Sequence, residues 1–83
     1  MIAERRIKID IDKSLDAMYI NFLDASFNSH SDINSEEVST SVFRVFDDNR
    51  PYITYRYVIM DMSFQDFNKL SQLLDIPILK EYI

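Results

Sequence analysis

Asp10, Asp12, Ser14 and Asp16 sit two residues apart in "DIDKSLD". That is the spacing of the first four ligands of a calcium loop of the EF-hand type. Such a loop also needs a glycine at its sixth position, for a sharp turn, and a bidentate glutamate at its twelfth. Counted from Asp10, those positions hold Leu15 and Asn21. The stretch therefore reads as a turn between two strands. Asp12 and Ser14 accept backbone hydrogen bonds that the turn leaves open, and Asp16 closes it. A metal-dependent enzyme built on Asp10, Asp12 and Asp16 stays as a minor alternative.

The other chemical groups are sparse. His30 is the only histidine, and its polar surroundings read as a solvated loop. Ser39, Thr40 and Ser41 have no base nearby and no nucleophile-elbow pattern, so they read as strand residues. The chain has no cysteine and no glycine. Disulfides and thiolate metal sites are excluded, which fits a cytoplasmic protein. Glycine-rich phosphate loops and dinucleotide fingerprints are excluded as well. Average usage would supply about six glycines in a chain this long, so Asp, Asn, Ser and Pro must make every turn. The expectation is a protein that is not an enzyme and carries no cofactor.

Two surface features remain. "RPYITYRY" concentrates Tyr and Arg, the residue types enriched in interface hot spots. Alternation sends Tyr55 and Tyr57 to the core with Ile53 and Ile59. Arg50, Tyr52, Thr54 and Arg56 are then the candidate interface. Glu36 and Glu37, with Asp47 and Asp48, form a candidate acidic face. If Glu36–Phe46 is one strand, these two pairs lie at its opposite ends, which argues against a shared metal site. The formal charge is −5. An acidic chain is poorly suited to bind nucleic acid, which demands Lys and Arg against phosphate.

The elements follow from periodicity. Arg5–Ile11 and Ala17–Leu23 alternate apolar and polar residues around a short polar break, which predicts a hairpin. Residues 24–35 are rich in Asp, Asn and Ser and predict a loop, with Phe27 and Ile33 as anchors to the core. Glu36–Phe46 predicts a third strand, "DDNRP" a turn, and Tyr52–Met60 a fourth strand. Ser63 opens "SFQD", a variant of the capping box, before an amphipathic helix over Phe64–Leu74. Asp75 is placed to cap a short second helix running towards Tyr82, with Pro77 in its first turn.

The predicted fold is α+β: a small antiparallel four-stranded meander, then the amphipathic helix and the short terminal helix. The 83 residues make one domain, and 47% of them are hydrophobic. A chain of this length buries roughly 60–65% of its unfolded surface, so its stability is modest and a dimer would add to it. No apolar run approaches the ~20 residues of a membrane span, and no signal core follows Arg5 and Arg6.

Two segments resemble the prokaryotic domain of unknown function 2283. The family opens on a strand followed by Asp-x-x-x-Asp-Ala-Leu-Tyr-Ile. Asp12, Asp16, Ala17, Met18, Tyr19 and Ile20 stand in those places, with Met18 for Leu. It ends on a strand leading into Leu-Asp-Ala-Ser, where Met60, Asp61, Met62 and Ser63 stand here. The resemblance covers about Ile7 to Leu70. The family's second-turn glycine is replaced by Asn49-Arg50, and its acidic strand position by Val58. The resemblance implies a compact sheet with a helix, and no activity.

The functional expectation is a small acidic protein-interaction domain, self-associating as a homodimer. The alternative is an acidic inhibitor or nucleic-acid mimic, of the kind phages direct at basic host defence proteins.

Overall fold

The computed structural model describes residues 6–25 and 32–81. Five strands are present: β1 (Ile7–Asp12), β2 (Ala17–Phe22), β3 (Ile33–Ser39), β4 (Val42–Asp47) and β5 (Arg50–Ile59). A 3₁₀ turn (Met62–Phe64), the helix α1 (Phe67–Leu73) and a second 3₁₀ turn (Pro77–Glu81) follow. All strand pairs are antiparallel, in the order β1-β2-β5-β4-β3. The class is α+β.

The sheet departs from the expected four-stranded meander in two ways. The segment read as one strand, Glu36–Phe46, turns back on itself at Thr40-Ser41, so that Ser39 lies opposite Val42. Ser41 takes a left-handed conformation (φ 59°) there. A serine in that role sends no turn signal, because Ser, Thr and Val all suit a strand. The second departure is non-local. β2 pairs with β5, Ile20 facing Tyr57, and β3 becomes an edge.

Register fixes which residues share a face, because opposite residues in an antiparallel pair point the same way. One face carries Ile7, Ile9, Met18, Ile20, Phe22, Val42, Tyr57 and Ile59. These pack with Phe67, Leu70, Leu74, Ile76 and Leu79 from the helical end of the chain. Phe22 and Tyr57 meet edge to face, ring centroids 5.8 Å apart. The opposite face has no second layer among the described residues, and the molecule is only 19 Å through its thinnest axis.

The helix is shorter than its periodicity predicts, and Asp66 rather than Ser63 caps it. Asp66 accepts hydrogen bonds from the backbone N–H of Asn68 and Lys69. Phe64, expected on the apolar stripe, lies before the helix and is 88% exposed. Asp75 does not start the second helical turn. It ends the first, at φ 56°. The Ile76 N–H donates to the Ser71 carbonyl and the Asp75 N–H to that of Gln72. This is the Schellman arrangement, normally closed by glycine at the left-handed position. Ile33 is 64% exposed and does not anchor the preceding loop. Phe27 and His30 lie outside the described residues.

Without glycine, the left-handed positions fall to Asp16, Ser41, Asp61 and Asp75. Aspartate tolerates this region better than most residues, though a Cβ still crowds the carbonyl. Asp75→Gly is expected to stabilise the fold by about 0.5–1 kcal/mol, since no described side-chain bond of Asp75 is lost. Thermal denaturation should show a midpoint rise of a few degrees; a fall would mean that the carboxylate has a role of its own.

Candidate functional site

The aspartate cluster resolves into single tasks. The Asp12 Oδ1 accepts from the Ser14 N–H (3.0 Å), the Ser14 hydroxyl (2.6 Å) and the Leu15 N–H (3.3 Å). The Ser14 hydroxyl is the largest influence and holds the Asp12 carboxyl below the ordinary aspartate range; desolvation, next in size, opposes it, and the Leu15 and Ser14 N–H groups add to the lowering. A depressed carboxyl pKa contributes stability that is present above the unfolded value and lost as pH falls through the folded one. Ser14→Ala should therefore raise the Asp12 pKa towards its ordinary value, which carboxyl-carbon NMR titration reads directly. An unchanged pKa would place the cause elsewhere.

Asp16 points the other way. Both of its carboxylate oxygens accept from the Ser63 N–H at 3.2 Å, and Oδ2 also accepts from the Ser63 hydroxyl at 2.6 Å. The Met62 N–H donates to the Asp16 carbonyl at 2.8 Å. This clasp joins residues 47 apart. It ties together the two segments that carry the resemblance stated above. The Thr40-Ser41 turn joins the same end of the sheet, where the Ser41 hydroxyl donates to Asp61 and the Gln65 amide to the carbonyls of Thr40 and Met60. With its hydroxyl donated to a carboxylate, Ser63 serves as a structural strut. No group of three or more His, Cys, Asp or Glu that could hold a metal exists among the described residues.

The candidate acidic face is not one patch. Glu36 pairs with Arg44 across β3 and β4 (2.7 Å), on the core side of the sheet. Glu37, on the opposite side, accepts from the Ser41 N–H. Asp47 is buried and accepts from the backbone of Asp32 and Asn49, with Arg50 3.9 Å away. Asp48 accepts from the Asn34 amide. The Glu36-Glu37 pair lies at the middle of β3, opposite Arg44 and Phe43, and Asp47 lies opposite Ile33 at the open end of the β3-β4 hairpin, so the two pairs are not at opposite ends of one strand.

The candidate interface residues are also divided. Val45 faces Arg56 and its neighbour Phe46 faces Thr54, so β5 carries an extra residue there. That slip turns Thr54 to the side of Arg44 and Phe46, where it accepts from the Arg44 guanidinium. The same guanidinium lies 4.5 Å from the Phe46 ring centroid. A second slip leaves residues 51–53 without partners on β4, as Pro51 with its missing N–H allows. Tyr52 is consequently 80% exposed. Arg50 donates to the hydroxyl of buried Tyr55. Arg56, opposite Asn21 and Val45, faces the uncovered side of the sheet.

That uncovered side is the most distinctive surface of the molecule. One row across the sheet reads Asp10, Tyr19, Val58, Phe43, Glu37; the next reads Lys8, Asn21, Arg56, Val45, Ser35. Tyr19, Phe43, Val45 and Val58 are half-buried, and the charged residues around them are exposed. The polar groups are wired across three strands. Arg56 Nε donates to Asn21 Oδ1 (2.6 Å), and Asn21 Nδ2 donates to Asp10 Oδ2 (3.1 Å). The amide is thus held between a cation and an anion, which fixes the positions of all three side chains. Alternation gave the polar members of this face. Its apolar centre was not legible, because Phe43 and Val58 alternate as well as any core residue does.

A groove of about 580 Å³ lies between Ile11, Met62, Phe67 and Asn68, open to solvent. No helix of the described residues is long and apolar enough to cross a membrane. Comparison with protein-family models, with curated proteins and with solved structures finds no match to this chain.

Proposed function

We propose that the chain is a non-catalytic protein-interaction domain that binds through the uncovered face of its sheet and associates with copies of itself. One observation carries this reading: Tyr19, Phe43, Val45 and Val58 form an apolar centre on a face that no described residues cover as a second layer, ringed by Arg56, Lys8, Asp10 and Glu37. An apolar centre within a polar rim is the anatomy of a protein interface. The resemblance to a family without a common activity agrees with it. The reading of an acidic mimic draws on the net charge alone. It is weakened by the burial of Asp47 and the pairing of Glu36 with Arg44.

The test is light scattering of the eluting protein over a range of concentrations, joined to affinity capture washed at low and at high salt. The expected result is a mass above that of the monomer, with any captured partner retained at high salt and released by Arg56→Glu. A monomer at every concentration would remove self-association. A basic partner lost as salt rises would favour the acidic mimic, since exposed charges are screened.

A further inference from the structure

We infer that two copies of this chain join edge to edge through β1, making one continuous sheet from two of five strands. This rests on the self-association proposed above and names its contact.

β1 is an outer strand of the sheet, and no described strand lies on its far side. Its backbone polarity follows from the ladder. The Leu23 N–H donates to the Arg6 carbonyl at 2.8 Å, so Arg6 forms a hydrogen-bonded pair with Leu23. Such pairs alternate along an antiparallel ladder. Lys8, Asp10 and Asp12 therefore direct their N–H and C=O groups at β2. Ile7, Ile9 and Ile11 direct theirs at the free edge.

A second β1 can dock antiparallel on this edge about a two-fold axis, which pairs each residue with one of the same parity. Three central registers keep the outward groups facing one another. Centring on Lys8 sets Lys8 against Lys8 of the second copy. Centring on Asp10 sets Asp10 against Asp10. Centring on Ile9 sets Lys8 against Asp10, Asp10 against Lys8, Arg6 against Asp12 and Asp12 against Arg6. Only this last register is free of like-charge contacts, and every charge meets its opposite. The charged residues fall at non-hydrogen-bonded pairs, where side chains approach most closely. Ile9 meets Ile9, and Ile7 meets Ile11, as hydrogen-bonded pairs. Ile11, 42% exposed in the single chain, then gains a neighbour on the core side.

The other edge lacks this property. β3 carries Glu36 and Glu37 side by side at mid-strand, and its pairing is irregular between Glu37 and Ser39. Centring two copies of β3 on either glutamate opposes like charges.

Charge reversal tests the register. Lys8→Asp places Asp against Asp10 in a pair of identical chains, and Asp10→Lys places Lys against Lys8. Each variant alone should dimerise roughly tenfold to thirtyfold more weakly, because two attractive pairs become repulsive. An equimolar mixture should recover the dimer, since each variant supplies the charge that the other lacks. Light scattering with one variant carrying a mass tag reads this, and circular dichroism checks that both variants fold. Recovery only in the mixture supports the β1 contact. If wild type and both variants dimerise alike, self-association stands and the β1 contact is overturned. Variants that stay monomeric when mixed overturn it as well. A monomeric wild type removes self-association itself. Amide exchange supplies an independent reading: in the dimer the N–H groups of Ile7, Ile9 and Ile11 should slow at least tenfold over the monomer, and unchanged rates would overturn the contact.

Discussion

Asp16→Ala is expected to destabilise the fold by about 2 kcal/mol, because hydrogen bonds to a charged acceptor are worth about 1.5–3 kcal/mol and this site is partly exposed. The carboxylate takes the Ser63 N–H and its hydroxyl, and nothing else described reaches those donors. Alanine also keeps the left-handed backbone (φ 49°) without aspartate's local compensation. The midpoint of thermal unfolding should fall by roughly 8–16 °C for a domain of this size. Asp16→Asn should fall between wild type and alanine, since an amide oxygen still accepts. Ser63→Ala should cost about 1 kcal/mol, as it removes one donor and leaves the other. In a double-mutant cycle the two sites should couple, the pair losing less than the sum of the singles. Independent effects would mean that the contact contributes nothing. Asp16→Gly separates the two contributions: it relieves the backbone but loses the clasp, so it should remain destabilising where Asp75→Gly stabilises.

That contrast shows what the sequence can and cannot reveal. Both residues are aspartates in turns, and both replace a glycine the chain does not have. Composition made legible that something other than glycine had to turn the chain; the place of Asp75, which reads as the start of the second helical turn and instead ends the first, was not legible. The partner of Asp16 was not, because it lies 47 residues away and "DMS" carries no mark of a donor. The same division runs through the fold. β1 and β2 were legible because alternation and a polar break act within twenty residues. Their union with β5 was not, because any strand with one apolar face could pair there. Ser63 and Asp66 both precede apolar residues at capping distance. Ser63 is committed to Asp16, so the helix starts three residues later than its pattern suggests.

The candidate sites show the division more sharply. Arg50, Tyr52, Thr54 and Arg56 share one face in any regular strand. Two slips in the β4-β5 ladder scatter them, and such irregularities leave no trace in alternation. The uncovered face was half legible, as the polar residues of β1, β2 and β5. What distinguishes it is that no second layer of the described residues lies over Phe43 and Val58, and a covering layer is a property of the whole fold.

Ile59→Ala is expected to have the largest effect of any single truncation, about 3–4 kcal/mol. Ile59 is fully buried at the centre of the sheet, opposite Met18 on one side and Val42 on the other. Both neighbours are fully buried too, so neither can move to fill the space without opening the core elsewhere. A chain of this length has a total stability of roughly 4–12 kcal/mol. The loss is therefore a large share of the whole, and equilibrium unfolding in urea should show a much lower midpoint with the slope unchanged. Ile59→Val, which removes one methylene, should cost only about 1 kcal/mol. If alanine cost no more than valine, the core would be looser than its burial implies. The position also bears on function, because Val58 next to it faces the uncovered side. A strand that holds the core with Ile59 and presents Val58 to a partner transmits any loosening of the core to the interface. Binding by the Ile59→Val variant should then weaken little at low temperature and be lost a few degrees before wild type as the sheet opens. Loss of binding at every temperature would mean that Ile59 shapes the interface directly.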